Sequence, residues 1–168
     1  MSSFNRRWAL IGSLAALAGC GFRPAYGPGG SANRLLGQVR VDDPVGGRPA
    51  YLLTREIEER LGVGSAAGTG GVYGLSYVIT IDEQAVAISS DNVATRFNLT
   101  GSVTYALRDL ASEAVLVQGQ AANFTSYSAS GTPVATQAAA RDAEQRLMVI
   151  LADQVINRLI AESGNLPA

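Results

Sequence analysis

Between Arg96 and Arg108 the sequence alternates without a break: Phe97, Leu99, Gly101, Val103, Tyr105 and Leu107 fall on one side of an extended chain, and Asn98, Thr100, Ser102, Thr104 and Ala106 on the other. A period of two marks a strand with one buried face. A strand this long constrains everything around it, because its backbone needs partners and its apolar face needs a cover. Candidate partners flank it. Upstream, Leu75, Tyr77, Ile79 and Ile81 alternate with Ser76, Val78, Thr80 and Asp82. The phase then slips near Glu83-Gln84, where Val86 and Ile88 take over, as at a bulge. Downstream, Val115, Val117, Gly119 and Ala121 share a face in the run to Phe124. The turn clusters Ser89 to Asn92 and Asp109 to Glu113 join the three runs into an antiparallel meander.

The cover is helical. Apolar residues at 50, 53, 57 and 61 make one face of a helix that Gly62 stops, preceded by a short strand over Leu36–Val41. A longer helix begins at Thr132-Pro133 and runs to about Glu162, with Ala139, Ala143, Leu147, Ile150, Leu151, Val155 and Leu159 on its stripe and Ser163-Gly164 at its end. The predicted order is β-α-β-β-β-α. The economical packing is a two-layer α+β sandwich, a mainly antiparallel four-stranded sheet with two helices on one face. One domain is expected over residues 35–162, followed by a short tail at 163–168.

The side-chain inventory excludes most chemistry. The 168 residues contain no His, and all 13 basic side chains are arginine. His-dependent triads, His-ligated metals, Schiff-base lysines and P-loops are therefore out. One cysteine excludes an intrachain disulfide or a CxxC site. Asp42-Asp43 and Asp82-Glu83 lack calcium-loop spacing and read as turn and strand-edge acids. The glycine-rich stretch Gly62–Gly71 follows a helix rather than a strand and reads as a linker. A net charge of -1 gives no support for nucleic-acid binding. No enzyme, metal or cofactor is expected.

The cysteine has a place of its own. Arg6 and Arg7, the apolar run Trp8 to Leu17, and small residues at Ala18-Gly19 form a secretory leader over residues 1–19. A largely apolar run of ten residues reaches about 15 Å as a helix, half of a membrane's hydrocarbon core. Leu17-Ala18-Gly19-Cys20 resembles a bacterial lipobox, in which the thiol receives lipid and becomes the new N-terminus. Residues 20–34 then read as a lipidated N-terminus and flexible tether. The anchor on Cys20 is the one covalent group expected, and the resemblance to bacterial lipoproteins implies the outer membrane, because Gly21 rather than Asp follows the cysteine.

On the polar face of the long strand, Arg96 and Arg108 flank hydroxyl and amide side chains. Guanidinium forks suit phosphate and carboxylate. An ordinary solvent face, with arginines discouraging edge pairing, is the reading that physics alone favours.

The residues after the lipobox, Cys20-Gly-Phe-Arg-Pro-Ala-Tyr-Gly27, resemble the start of mature LPS-assembly lipoproteins of the LptE family, which show Cys-Gly-Phe-x-Pro-x-Tyr-Gly. The resemblance continues through Ala94-Thr-Arg-Phe97, Tyr105-Ala-Leu-Arg-Asp109 and Leu151-Ala-Asp-Gln-Val-Ile-Asn-Arg-Leu159. It implies a plug and assembly factor for the outer-membrane barrel protein LptD, delivering lipopolysaccharide to the outer leaflet from the periplasmic side. It also implies contact with lipopolysaccharide, for which Arg96 and Arg108 are the candidates in this chain. A periplasm-facing lipoprotein holding a lipid or small molecule between helices and sheet is the alternative.

Overall fold

The three alternating runs form strands β2 (Tyr73–Ile88), β3 (Ala94–Asp109) and β4 (Val115–Ser128), paired antiparallel in chain order. The structure, a computed structural model, describes residues 25–28, 30–62 and 71–166. The leader, Cys20 and most of the glycine-rich stretch lie outside the described residues. Strand β1 (Val39–Val41) lies on the outer side of β2 and pairs with it in parallel. The four-stranded sheet has the order β1-β2-β3-β4 and is mainly antiparallel, as expected, with one parallel edge. That edge follows from connectivity: helix α1 (Arg48–Leu61) sits between β1 and β2, and a crossover of that kind returns the chain in the same direction.

Helix α1 buries Ala50, Leu53, Thr54, Ile57 and Leu61, the predicted face with one threonine added. Gly62 closes it in the left-handed region at φ 69°, where its N–H meets the carbonyls of Glu58 and Glu59. Helix α2 (Pro133–Glu162) starts as the sequence predicts, with the Thr132 hydroxyl accepting from the Ala135 N–H at 3.3 Å. Its buried stripe runs from Ala143 to Ile160; Ala139 and Ile150 are only half-buried. The first turns extend past the core and leave Val134 78% exposed.

Both helices cover one face of the sheet, where Leu75, Leu99, Val103, Tyr105, Leu107, Val117 and Ala121 are buried. Each fully buried Leu contributes roughly 1.5–3 kcal/mol. At Gly101 a Cβ would stand 2.9 Å from Leu151 Cδ1 and 3.0 Å from Leu147 Cδ2, so the missing side chain lets α2 lie close on β3. Pairs Arg48–Glu144 at 2.7 Å and Arg60–Asp153 at 3.0 Å span the two helices at the surface, worth at most about 1 kcal/mol each.

Two details differ from the sequence reading. The slip in β2 falls between Ala85 and Ile88 rather than near Glu83-Gln84. No helix covers this end of β2, so apolar side chains no longer mark the inner face, and Val86 is exposed. In β4 a register shift opposite Leu107/Arg108 turns Val115 onto the open face, away from Val117.

Among the described residues, the segment before β1 packs on the fold as well. A 3₁₀ turn at Ser31–Arg34 buries Ala32, and Leu35 follows it into the core. Arg34 Nη1 lies 2.8 Å from the Leu166 carbonyl and 3.4 Å from those of Ser163 and Gly164. The Ser163 hydroxyl sits 2.9 Å from the Ser31 carbonyl. The 3₁₀ turn at Ser163–Asn165 is thereby clasped to the one at Ser31–Arg34.

Candidate interaction face

A two-layer fold leaves one face of its sheet without a second layer. Cross-strand register orders that face into rows: Ser76–Ala106–Gln118, Val78–Thr104–Gln120, Thr80–Ser102–Ala122, Asp82–Thr100–Phe124 and Gln84–Asn98–Ser126. Arg108 lies beyond the first row, opposite Gly74 and Val115, and Arg96 beyond the last, opposite Ala87 and Ser128. Between the two arginines the only charge in these rows is Asp82. Hydroxyls and amides dominate, and they bond along the face, as in Gln120 Nε2 to Ser102 Oγ at 2.7 Å. Within these rows Val78 and Phe124 are the exposed large apolar side chains. A shallow depression of about 600 Å³ lies over the first two rows.

The two arginines predicted to bind anions are on this face but not together. Twelve residues of strand separate them, roughly 40 Å. Arg108 Nη2 donates to Asp42 Oδ2 at 2.5 Å, within a surface cleft that also includes Arg40 and Glu113. Asp42, read from the sequence as a turn acid, is thus the partner of Arg108. Arg96 makes no ion pair among the described residues. Cys20, the predicted lipidation site, lies outside the described residues. No three of His, Cys, Asp or Glu are gathered as a metal site among the described residues, and none of their helices is long and apolar enough to cross a membrane.

The opposite, inner face holds the tyrosines that sequence reading passed over. Tyr77 and Tyr105 have pKa values raised above 10.0, in both cases chiefly by burial. For Tyr77 the Thr54 hydrogen bond opposes the rise; for Tyr105 the nearby Arg158 does. Tyr127 stacks on Phe97 with ring centres 5.3 Å apart. Tyr105 is 2% exposed, and its hydroxyl has no partner among the described residues. Its one sequence signal was a phenol on a face otherwise made of hydrocarbon. The space between helices and sheet, where the alternative reading puts a lipid, is occupied at its centre by Leu147, Leu151 and Val103.

Solved structures share this fold. A Caulobacter crescentus CB15 protein aligns over 82% of this chain and 100% of its own at a TM-score of 0.65 and 24% identity. Rare lipoprotein B from Shewanella oneidensis aligns over 76% and 96% at 0.58 and 15% identity. A minor lipoprotein from Acinetobacter baumannii aligns over 79% and 95% at 0.58 and 17% identity. No curated protein matches the sequence. The family model described as "LptE: Lipopolysaccharide-assembly" matches residues 36–159, from the approach to β1 through the buried stripe of α2. Since that span takes in every strand, α1 and most of α2, the chain belongs to the LptE family of lipopolysaccharide-assembly proteins.

Proposed function

We propose that this protein is an outer-membrane lipoprotein, anchored on the periplasmic side by lipid on Cys20, that plugs an LptD-type barrel and helps it assemble for lipopolysaccharide transport. It works by fitting and binding rather than by catalysis. The observation that carries the reading is the uncovered sheet face, with five rows of hydroxyls, amides and small side chains and one charge. The lumen of an outer-membrane barrel is polar, and a neutral hydrogen-bonding face fits such a wall with little desolvation of charge. Arg96 is the better-placed of the two candidate arginines to meet an anionic group of lipopolysaccharide, because Arg108 must first release Asp42.

Detergent extracts of outer membrane test the reading directly. The chain is expected in stoichiometric complex with a large barrel protein. Its recovery solely as a free monomer overturns the assignment.

A further inference from the structure

Strand β4 is an edge of the sheet, and none of its 14 residues is charged. Exposed edges are normally guarded against pairing by charge, bulges or a covering element. Here the guards stand at the two ends only. The register shift opposite Leu107/Arg108 disrupts the start of the strand. Near its other end the Phe124 N–H is taken by Asn123 Oδ1 at 2.8 Å, and the Ser126 carbonyl accepts from Arg146 at 3.4 Å.

Those two bonds also show which residues face outward. A residue in an antiparallel ladder sends its N–H and C=O to the same side, and successive residues alternate. The register is unbroken from Val117 to Ser128, so Gln118, Gln120 and Ala122 point their backbone groups away from β3, as Phe124 and Ser126 do. Among the described residues those groups of Gln118, Gln120 and Ala122 have no hydrogen-bond partner. Among the described residues the outer edge of β2 beyond β1 also has no strand partner, but it carries Asp82 and Glu83, the charged protection that β4 lacks.

The open stretch coincides with the orphaned phenol. Tyr105 pairs across the ladder with Gly119, where a Cβ would stand 2.7 Å from the phenol oxygen. The glycine is what lets the ring run out beneath the edge strand. The hydroxyl, buried and unpartnered, borders a cleft of about 480 Å³ that wraps the edge and is lined by Gln120, Gln154, Asn157 and Arg158. A buried hydroxyl without an acceptor is unfavourable for the isolated fold. Ladder groups in register recognise an extended backbone, and a phenol beside a guanidinium recognises an acceptor of negative or partial negative charge.

We propose that Gln118–Ala122 docks one extended segment of the barrel partner, which adds to β4 as a fifth strand and sets a carbonyl or carboxylate oxygen against Tyr105 and Arg158. The proposal rests on the partner reading above. A second copy of this chain fits less well, because symmetric pairing about Gln120 brings the two copies' Arg158 side chains together.

The test uses the full chain, alone and in complex with its barrel. The amides of Gln118, Gln120 and Ala122 are expected to exchange freely in the isolated protein and at least about tenfold more slowly in the complex. Tyr105→Phe is expected to leave the thermal midpoint of the free protein unchanged or higher, yet to shorten the lifetime of the complex about three- to tenfold. A complex in which those amides exchange as fast as in the free chain overturns the docking edge alone, as does an unchanged lifetime with Tyr105→Phe. If no complex forms at all, the partner reading falls and this proposal falls with it.

Discussion

Tyr77 stands on the inner face of β2 with its hydroxyl 2.8 Å from the Ala50 carbonyl and 2.6 Å from the Thr54 hydroxyl. One phenol thus ties the first turns of α1 to the sheet. Tyr77→Phe leaves the Ala50 carbonyl without its donor and the Thr54 hydroxyl without its acceptor. The expected cost is about 1 kcal/mol, read as a lower urea midpoint at an unchanged slope; an unchanged midpoint means that solvent serves the same oxygens. At this scale the sequence was only partly legible. Alternation placed Tyr77 and Tyr105 inward and Arg96 and Arg108 outward, all correctly. It carried no information on where a long side chain ends. That Arg108 finds Asp42, that Tyr77 finds Thr54 and that the Tyr105 hydroxyl finds no partner among the described residues depend on contacts set by register and helix placement.

The β3–β4 hairpin shows what an element adds. Its turn is closed by the Asp109 carboxylate, which accepts from the Ser112 N–H at 2.7 Å, the Ala111 N–H at 2.9 Å and the Ser112 hydroxyl at 2.9 Å. These bonds, the Ser112 N–H foremost, hold the carboxyl below its ordinary value of 3.8. Because the folded pKa is depressed, the turn's contribution is complete above that ordinary value and is lost as pH falls through the lowered one. Amide shifts of Ala111 and Ser112 followed by NMR are expected to titrate together with a midpoint below 3.8; a midpoint at or above it contradicts the closure. The long strands and both helices were legible because each has a buried face with its own period. Strand β1 was less so. Three residues define no period, and its parallel pairing is a property of the crossover rather than of its own side chains. The bulge in β2 was placed too early for a related reason, since past Ile81 nothing covers the strand and hydropathy ceases to report orientation.

Across the whole molecule, the described ends of the chain meet at one pole, and the β2–β3 and β4–α2 turns lie at the other, roughly 50 Å away for strands of this length. Arg34 and Ser163 fasten the first pole. Arg34→Ala releases three carbonyls from a guanidinium and is expected to cost about 1.5–3 kcal/mol. The loss should appear as faster amide exchange around Ala32–Leu35 and at Leu166, with the β3 amides still protected; uniform loss across β3 contradicts a local clasp. Neither Ser31–Arg34 nor Ser163–Asn165 announces this contact in sequence, because each is a short polar turn whose partner lies more than a hundred residues away.

The clasp has a mechanical consequence. A chain tethered through its N-terminus feels any tug from that tether where residues 31–34 meet the end of α2. The contact with the C-terminal turn that follows a 30-residue helix therefore stands between such a tug and β1, the shortest strand of the sheet. The hairpins and the open face lie away from that clasp, so if the proposed lipid on Cys20 holds the N-terminus, the proposed partner surface keeps its shape while the anchor moves.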